Sequence, residues 1–216
     1  MREYDGIEFH EDVVIEEDVL IKGPSKALKN LTTKSLTIKG KLEVGNELKC
    51  ADDLRVDGSI VVEKVIRANR IDIIGEVRAD AIHGSAITIA GKTTIQQDIR
   101  ATESVHLLLN PKKWDYTIHG RIVAPNIVLE MRGFFTKWSL VGPKILKHLG
   151  KRLHFKKVYK ITDLKLQGTK IVLSSPHPPD RVDFQLTNCE INVEEIEKQQ
   201  ACFRPIRPPS SEKQLR

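Results

Sequence analysis

Aromatic residues are scarce, 5% of a 216-residue chain in which hydrophobic residues still reach 40%. The apolar content is sufficient for a core, so that core must be built from aliphatic side chains rather than rings. No stretch approaches the ~18 consecutive apolar residues of a membrane-spanning helix. The opening MREYDGIEFHED lacks the basic start and apolar run of a secretory signal, and a cytoplasmic protein is expected. The three cysteines, Cys50, Cys189 and Cys202, have no CxxC or metal-ligand spacing. A disulfide framework is therefore not expected, and Cys50, at an apolar alternating position, reads as a buried thiol. GxGxxG, GxxxxGK[ST] and GxSxG are all missing, which removes the motif-based arguments for dinucleotide binding, phosphate cradling and serine hydrolysis.

What the chain does have is a phrase repeated from Leu31 to Leu109. It reads LTTKSLTIKG at 31–40, LKCADDLRVDG at 48–58, IRANRIDIIG at 66–75, IHGSAITIAG at 82–91 and, less perfectly, IRATESVHLLL at 99–109. Gly6, Gly23, Gly40, Gly58, Gly75 and Gly91 mark the period, with steps of 17, 17, 18, 17 and 16 residues. Within it, apolar residues fall in pairs two apart: Leu36/Ile38, Leu42/Val44, Leu48/Cys50, then Leu54/Val56, Ile60/Val62, Ile66/Ala68. A spacing of two is a strand with one buried face. Three such strands per period cannot bury enough to fold alone, whereas stacked periods pair equivalent strands and line the inward residues into ladders. The expected fold is all-β: a three-faced parallel β-helix of about seven coils, with lead strands beginning near Val19, Leu36, Leu54, Ile71, Ile87, Val105 and Ile127. At the usual strand separation this makes a rod roughly 30–35 Å long, slim enough that its interior has little room for rings. A β-sandwich would explain the alternation but not the constant period. A left-handed hexapeptide helix of the acyltransferase or γ-type carbonic anhydrase kind usually puts a small residue where this chain has Leu42, Leu54 and Ile60.

After Leu109 the segment NPKKWDY, with Pro111, leaves the coil as an insertion, and the repeat resumes as YTIHGRIVAPNIVLEMRGFF. GRIVAPNIVLEMRGFF at 120–135, preceded by VHLLL at 105–109, resembles the closing coil of bactofilins, polymer-forming bacterial and archaeal cytoskeletal proteins. Gly120, Ile122, Ala124, Pro125, Ile127, Leu129 and Phe135 match in register, and the likeness covers about residues 15–137. Arg132 and Lys137 stand where the family usually has glycine. The resemblance implies a right-handed β-helix that polymerises end to end without nucleotide or other cofactor, with the last-coil Phe at a junction. Phe134, Phe135 and Trp138 are accordingly candidates for self-association, or for the core of an end cap.

The bactofilin-like β-helix is placed at 6–138, followed by a mixed segment at 139–195 and a disordered tail at 196–216. VGPKILKHLGKRL at 141–153 puts Ile145, Leu146, Leu149 and Leu153 on one helical face after Pro143. VYKITDLKLQGTKIVLS and RVDFQLTNCEINV alternate like strands. This segment either caps the rod or adds coils to it. Charge is unevenly spread: residues 1–22 hold eight acidic and two basic side chains, and residues 131–160 hold nine Lys/Arg and no acid. Unlike ends invite association. Lys144, Lys147, Lys151, Arg152, Lys156, Lys157 and Lys160 form the candidate surface for an anionic partner. That partner is either a membrane, with Ile145, Leu149 and Leu153 inserted, or the phosphates of a nucleic acid. The plainer reading is a solvated face.

His83, His106 and His119 fall in successive coils. His106 lies between inward Val105 and Leu107 and so points outward, and all three read as surface residues rather than zinc ligands. Asp52, Asp53, Asp72 and Asp80 are scattered, unlike the clustered acids of polysaccharide-cleaving β-helices. The expected function is a non-enzymatic scaffold that associates with itself. The alternatives are a nucleic-acid- or membrane-binding module with the solenoid as spacer and, third, a hexapeptide-helix enzyme.

Overall fold

The computed structural model describes residues 1–109, 116–131, 157–162, 164–174, 182–187, 190–199 and 201–205. The chain is an all-β parallel solenoid of about six turns. Its lead face stacks Val19, Leu36, Leu54, Ile71, Ile87, Val105 and Ile127 in one column, the seven positions expected from the period. The second face stacks Ser25, Leu42, Ile60, Val77, Thr93 and Tyr116. The third stacks Val13, Leu31, Leu48, Ile66, Ile82, Ile99 and Ile122.

Burial explains the register. Leu36, Ile38, Leu42, Leu48, Leu54, Ile60, Ile66, Ile71 and Ile73 are fully buried, and because strand side chains alternate, a slip of one residue would turn each of them to water. Differences in period length are absorbed at corners, not in strands. Gly84 pairs with Ala101 but Ala86 with Ser104, and Ile15 with Thr33 but Asp18 with Ser35, so the spare residue sits at the turn from the third face to the lead face. Long insertions use the opposite turn, from the lead face to the second. The chain leaves the lead face at Leu109 and re-enters at Tyr116, which still lands on Thr93.

The few inward polar groups are satisfied. Thr33 donates its hydroxyl to Cys50 Sγ at 3.4 Å, Thr93 to the Gly91 carbonyl at 3.1 Å, and Ser25 to the Gly23 carbonyl at 3.3 Å. Cys50 is buried as its inward position requires, and burial pushes its thiol up to about 11, against the weaker opposing pull of Thr33. In a Cys189→Ser/Cys202→Ser chain, Cys50 should stay unreactive towards a disulfide reagent at pH 8 until the protein is denatured. Labelling of the native protein within minutes would contradict this placement.

The coil that resembles a closing coil is not the last layer of the described ladder. Lys165–Ser174 pairs with both Arg121–Val123 and Asn126–Met131, and Glu190–Gln199 pairs in turn with Lys165–Ser174. Ile127, Ile171 and Ile196 continue the lead column. Leu164, Leu166 and Ile171 are buried, which is the physical reason the ladder goes on. Lys157–Thr162, Val182–Thr187 and Ala201–Pro205 form a separate three-stranded parallel sheet. Strand structure thus crosses residue 195, where composition had placed the start of a tail. The charges of EEIEKQQ concealed a strand whose Ile196 registers on Ile171. The helix expected at 141–153 lies outside the described residues.

Candidate interaction surfaces

Among the described residues the N-terminal end of the rod is an open edge: Arg2–Tyr4 pairs there only with the coil above it, at Val19 to Ile21, Glu8–Phe9 only with Lys26 and Ala27, and Val13 only with Leu31. Tyr4 and Phe9 meet edge to face, with centroids 5.6 Å apart at 83°, and pack against the core as its floor. Around this floor lie the eight acids. Arg2 pairs with Glu17 at 3.1 Å, Lys22 with Glu3 at 2.7 Å, and Lys29 with Glu11. Hydrogen bonding and attraction from Lys22 hold the Glu3 carboxyl below its ordinary value. Asp12 accepts from the Asn30 backbone and side-chain amides, each at 3.0 Å. Asp5, Glu8, Glu16 and Asp18 form no ion pair among the described residues. Charge on an exposed edge opposes the addition of a strand edge of like sign.

A second surface centres on Asp98, at the corner before the third face. Its Oδ2 accepts from Arg100 Nε and Nη2, at 3.1 and 2.6 Å, and from Arg121 Nη2 at 3.3 Å, while Oδ1 accepts from the Arg121 backbone at 2.9 Å. Partial burial by itself would raise this carboxyl; the Arg121 backbone N–H and the two guanidiniums outweigh it and leave the group below its ordinary value. Asp98, His119, Gly120, Arg121, Lys165, Leu166, Gln167 and Glu190 line a cleft of about 420 Å³. Lys165 reaches Glu190 at 3.8 Å, so the cleft wall alternates in sign.

The three histidines do not converge. His83 lies on the third face beside Arg67 and Arg100, His106 on the lead face between Thr88 and Val128, and His119 at the corner after the second. No group of three metal-ligating side chains occurs among the described residues. His106, outward between buried Val105 and Leu107, meets Glu130 at 2.9 Å across the coil step. His83 is held below its ordinary value first by burial, then by Arg67 and Arg100.

Of the sites expected from sequence, Phe134, Phe135, Trp138, Lys144, Lys147, Lys151, Arg152 and Lys156 lie outside the described residues. Lys157 and Lys160 fall in the strand Lys157–Thr162, opposite Val182 and Gln185. The motif residues Ile122, Ala124, Ile127 and Leu129 are all buried, and the Pro125 carbonyl accepts from Thr169 and Lys170 backbones at 3.0 and 2.8 Å. One surface was overlooked although the sequence spells it out. The residues following the third-face aliphatics in LKC, IRA, IHG and IRA form an outward column of Lys49, Arg67, His83 and Arg100. No protein-family model matches the chain, and no curated protein or solved structure is similar to it at a significant level, so the bactofilin likeness rests on the period and on residues 105–135.

Proposed function

We propose that the protein is a non-enzymatic cytoplasmic scaffold that associates with itself through the ends of its β-helix, the role the bactofilin resemblance implies. The observation that carries this reading is the N-terminal edge: strands hydrogen-bonded on one side only among the described residues, ringed by eight carboxylates of which five lack an ion pair there. The ladder at such an edge can accept a strand running in either direction, so charge rather than hydrogen bonding decides which end of a second copy enters. Two N-terminal ends meeting would set acids against acids, whereas the 131–160 stretch, with nine cations and no acid, complements them. A head-to-tail contact is heterologous and grows into filaments unless its rotation closes a ring. Phe134, Phe135 and Trp138 are the candidates that the resemblance supplies for the apolar part of such a contact.

Sedimentation and negative-stain imaging over a range of concentrations test the reading. Assembly should grow with concentration, weaken as salt rises, and weaken ~10-fold in Glu8→Lys/Glu16→Lys, about 1.4 kcal/mol at the contact. A particle that stays monomeric throughout would overturn it.

A further inference from the structure

Charge along this rod is mostly matched from one coil to the next. Arg2 meets Glu17, Lys22 meets Glu3, Lys29 meets Glu11 and Lys92 meets Glu76. Where like charges do stack, as at Arg121 opposite Lys165, each reaches a carboxylate, Arg121 sharing Asp98 with Arg100 and Lys165 meeting Glu190. The outward column of the third face breaks this habit. Lys49 is registered on Arg67, Arg67 on His83 and His83 on Arg100. Neither Lys49 nor Arg67 has an ion pair among the described residues, and both are exposed. Arg100 has only a share of Asp98, which also serves Arg121. Arg67 Nη1 lies 3.1 Å from His83 Nδ1, a hydrogen bond that needs an unprotonated ring nitrogen. Like charges directly across a strand pair destabilise a sheet, so Lys49 opposite Arg67, with no ion pair for either among the described residues, is an arrangement that folding alone does not favour.

We propose that this column is a binding track for a linear phosphate chain. Four donors spaced by one strand separation, about 4.8 Å, present a straight row of roughly 14 Å along the rod. Arginine forks suit the oxygens of phosphate in pairs, and lysine serves as a point charge between them. The outward neighbours in the same column, Thr32 and Val123, are not aromatic, so among the described residues this column offers no ring on which a base could stack. Recognition is thus of the backbone charge alone. A phosphate placed beside His83 would also relieve the repulsion that Arg67 and Arg100 impose on the protonated ring, while Asp98 already opposes that repulsion from the corner below the strand.

The test uses the full chain, with labelled long-chain inorganic polyphosphate, a thymidine 20-mer and polyglutamate of similar charge as probes. Lys49→Gln/Arg67→Gln is compared with Lys151→Glu/Arg152→Glu/Lys156→Glu. The first double variant should bind polyphosphate ~10-fold more weakly and flatten the plot of log affinity against log salt by about 1.4–1.8, two lost phosphate contacts. Its melting temperature without ligand should be unchanged or higher, since removed repulsion is not lost structure. Lys49→Arg/Arg67→Lys should bind within about threefold of the parent. Equal loss with the thymidine 20-mer identifies a nucleic-acid backbone as a source of the phosphates; loss with polyphosphate alone identifies the free chain, and both support the proposal. Binding by the double variant within twofold of the parent overturns it, as does polyglutamate binding as tightly as polyphosphate. Loss only in the triple variant also overturns it and assigns the anion to residues 144–160. A monomeric rod would leave the track unaffected, so this proposal stands or falls separately from self-association.

Discussion

Replacing Gly75 by valine should lower the stability of the rod by at least about 3 kcal/mol, and alanine should already cost roughly 2 or more. Gly40, Gly58, Gly75 and Gly91 stand above one another at the corner where the lead face turns into the second. A Cβ on Gly75 would lie 1.9 Å from the Gly58 carbonyl oxygen and 2.9 Å from its carbon, and Gly75 has φ +139, a conformation L side chains rarely adopt. The obstruction is backbone, not a side chain that can swing aside. The coil below is fixed by its own ladder, because the Ser59 amide donates to the Gly40 carbonyl at 2.9 Å. Relief would require the corner to rise, pulling Ile73 and Val77, both fully buried, out of register with Val56 and Ile60. Ile74, next along the chain and 62% exposed, is the control: Ile74→Thr should change stability by less than about 0.5 kcal/mol. Urea midpoints of the variants decide the matter, and equal midpoints for Gly75→Val and Ile74→Thr would refute the stacking of the corner.

The lead column was legible because two independent signals coincide in it. Alternation of two places residues inward, and the recurring glycine places the corner, so Leu36, Leu54, Ile71 and Ile87 could be stacked without coordinates. Even the step from Val105 to Ile127 survived the NPKKWDY insertion, since IVL repeats the alternation at once. Beyond Met131 the two signals part company. Ile196 registers on Ile171 as Ile171 does on Ile127, but no recurring glycine spaces them and long intervening segments hide the period. Interaction surfaces were harder still, because the core constrains inward positions and leaves outward ones free. Lys49, Arg67, His83 and Arg100 carry no apolar pattern and become a set only when the third face is put in register. Asp98 is equally invisible, since its importance comes from Arg121, 23 residues away.

Deleting one whole coil should be tolerated where deleting half of one is not. Removal of residues 54–70 joins Asp53 to Ile71. Ile71 then takes the place of Leu54 over Leu36, Ile73 lies over Ile38, Gly75 over Gly40, Val77 over Leu42 and Ile82 over Leu48. Every column keeps its sequence of inward aliphatics and loses a single member. In a stacked array the loss is one repeat and one interface, so the shortened chain should still fold cooperatively, with a lower urea midpoint. Removal of residues 54–62 is the smaller cut and the larger injury. Leu48 and Ile66 remain neighbours on the third face, but the lead and second faces each lose a layer, leaving Leu36 and Ile71 two strand separations apart, about 9.6 Å. Both rows of N–H and C=O groups facing that gap lose their partners inside the rod, an arrangement that leads to unfolding or to aggregation through the exposed edges. Far-UV circular dichroism and denaturation of the two deletions distinguish the outcomes: similar behaviour of both would mean that the seventeen-residue period does not set the vertical register on which the rod, its ends and its charged column all depend.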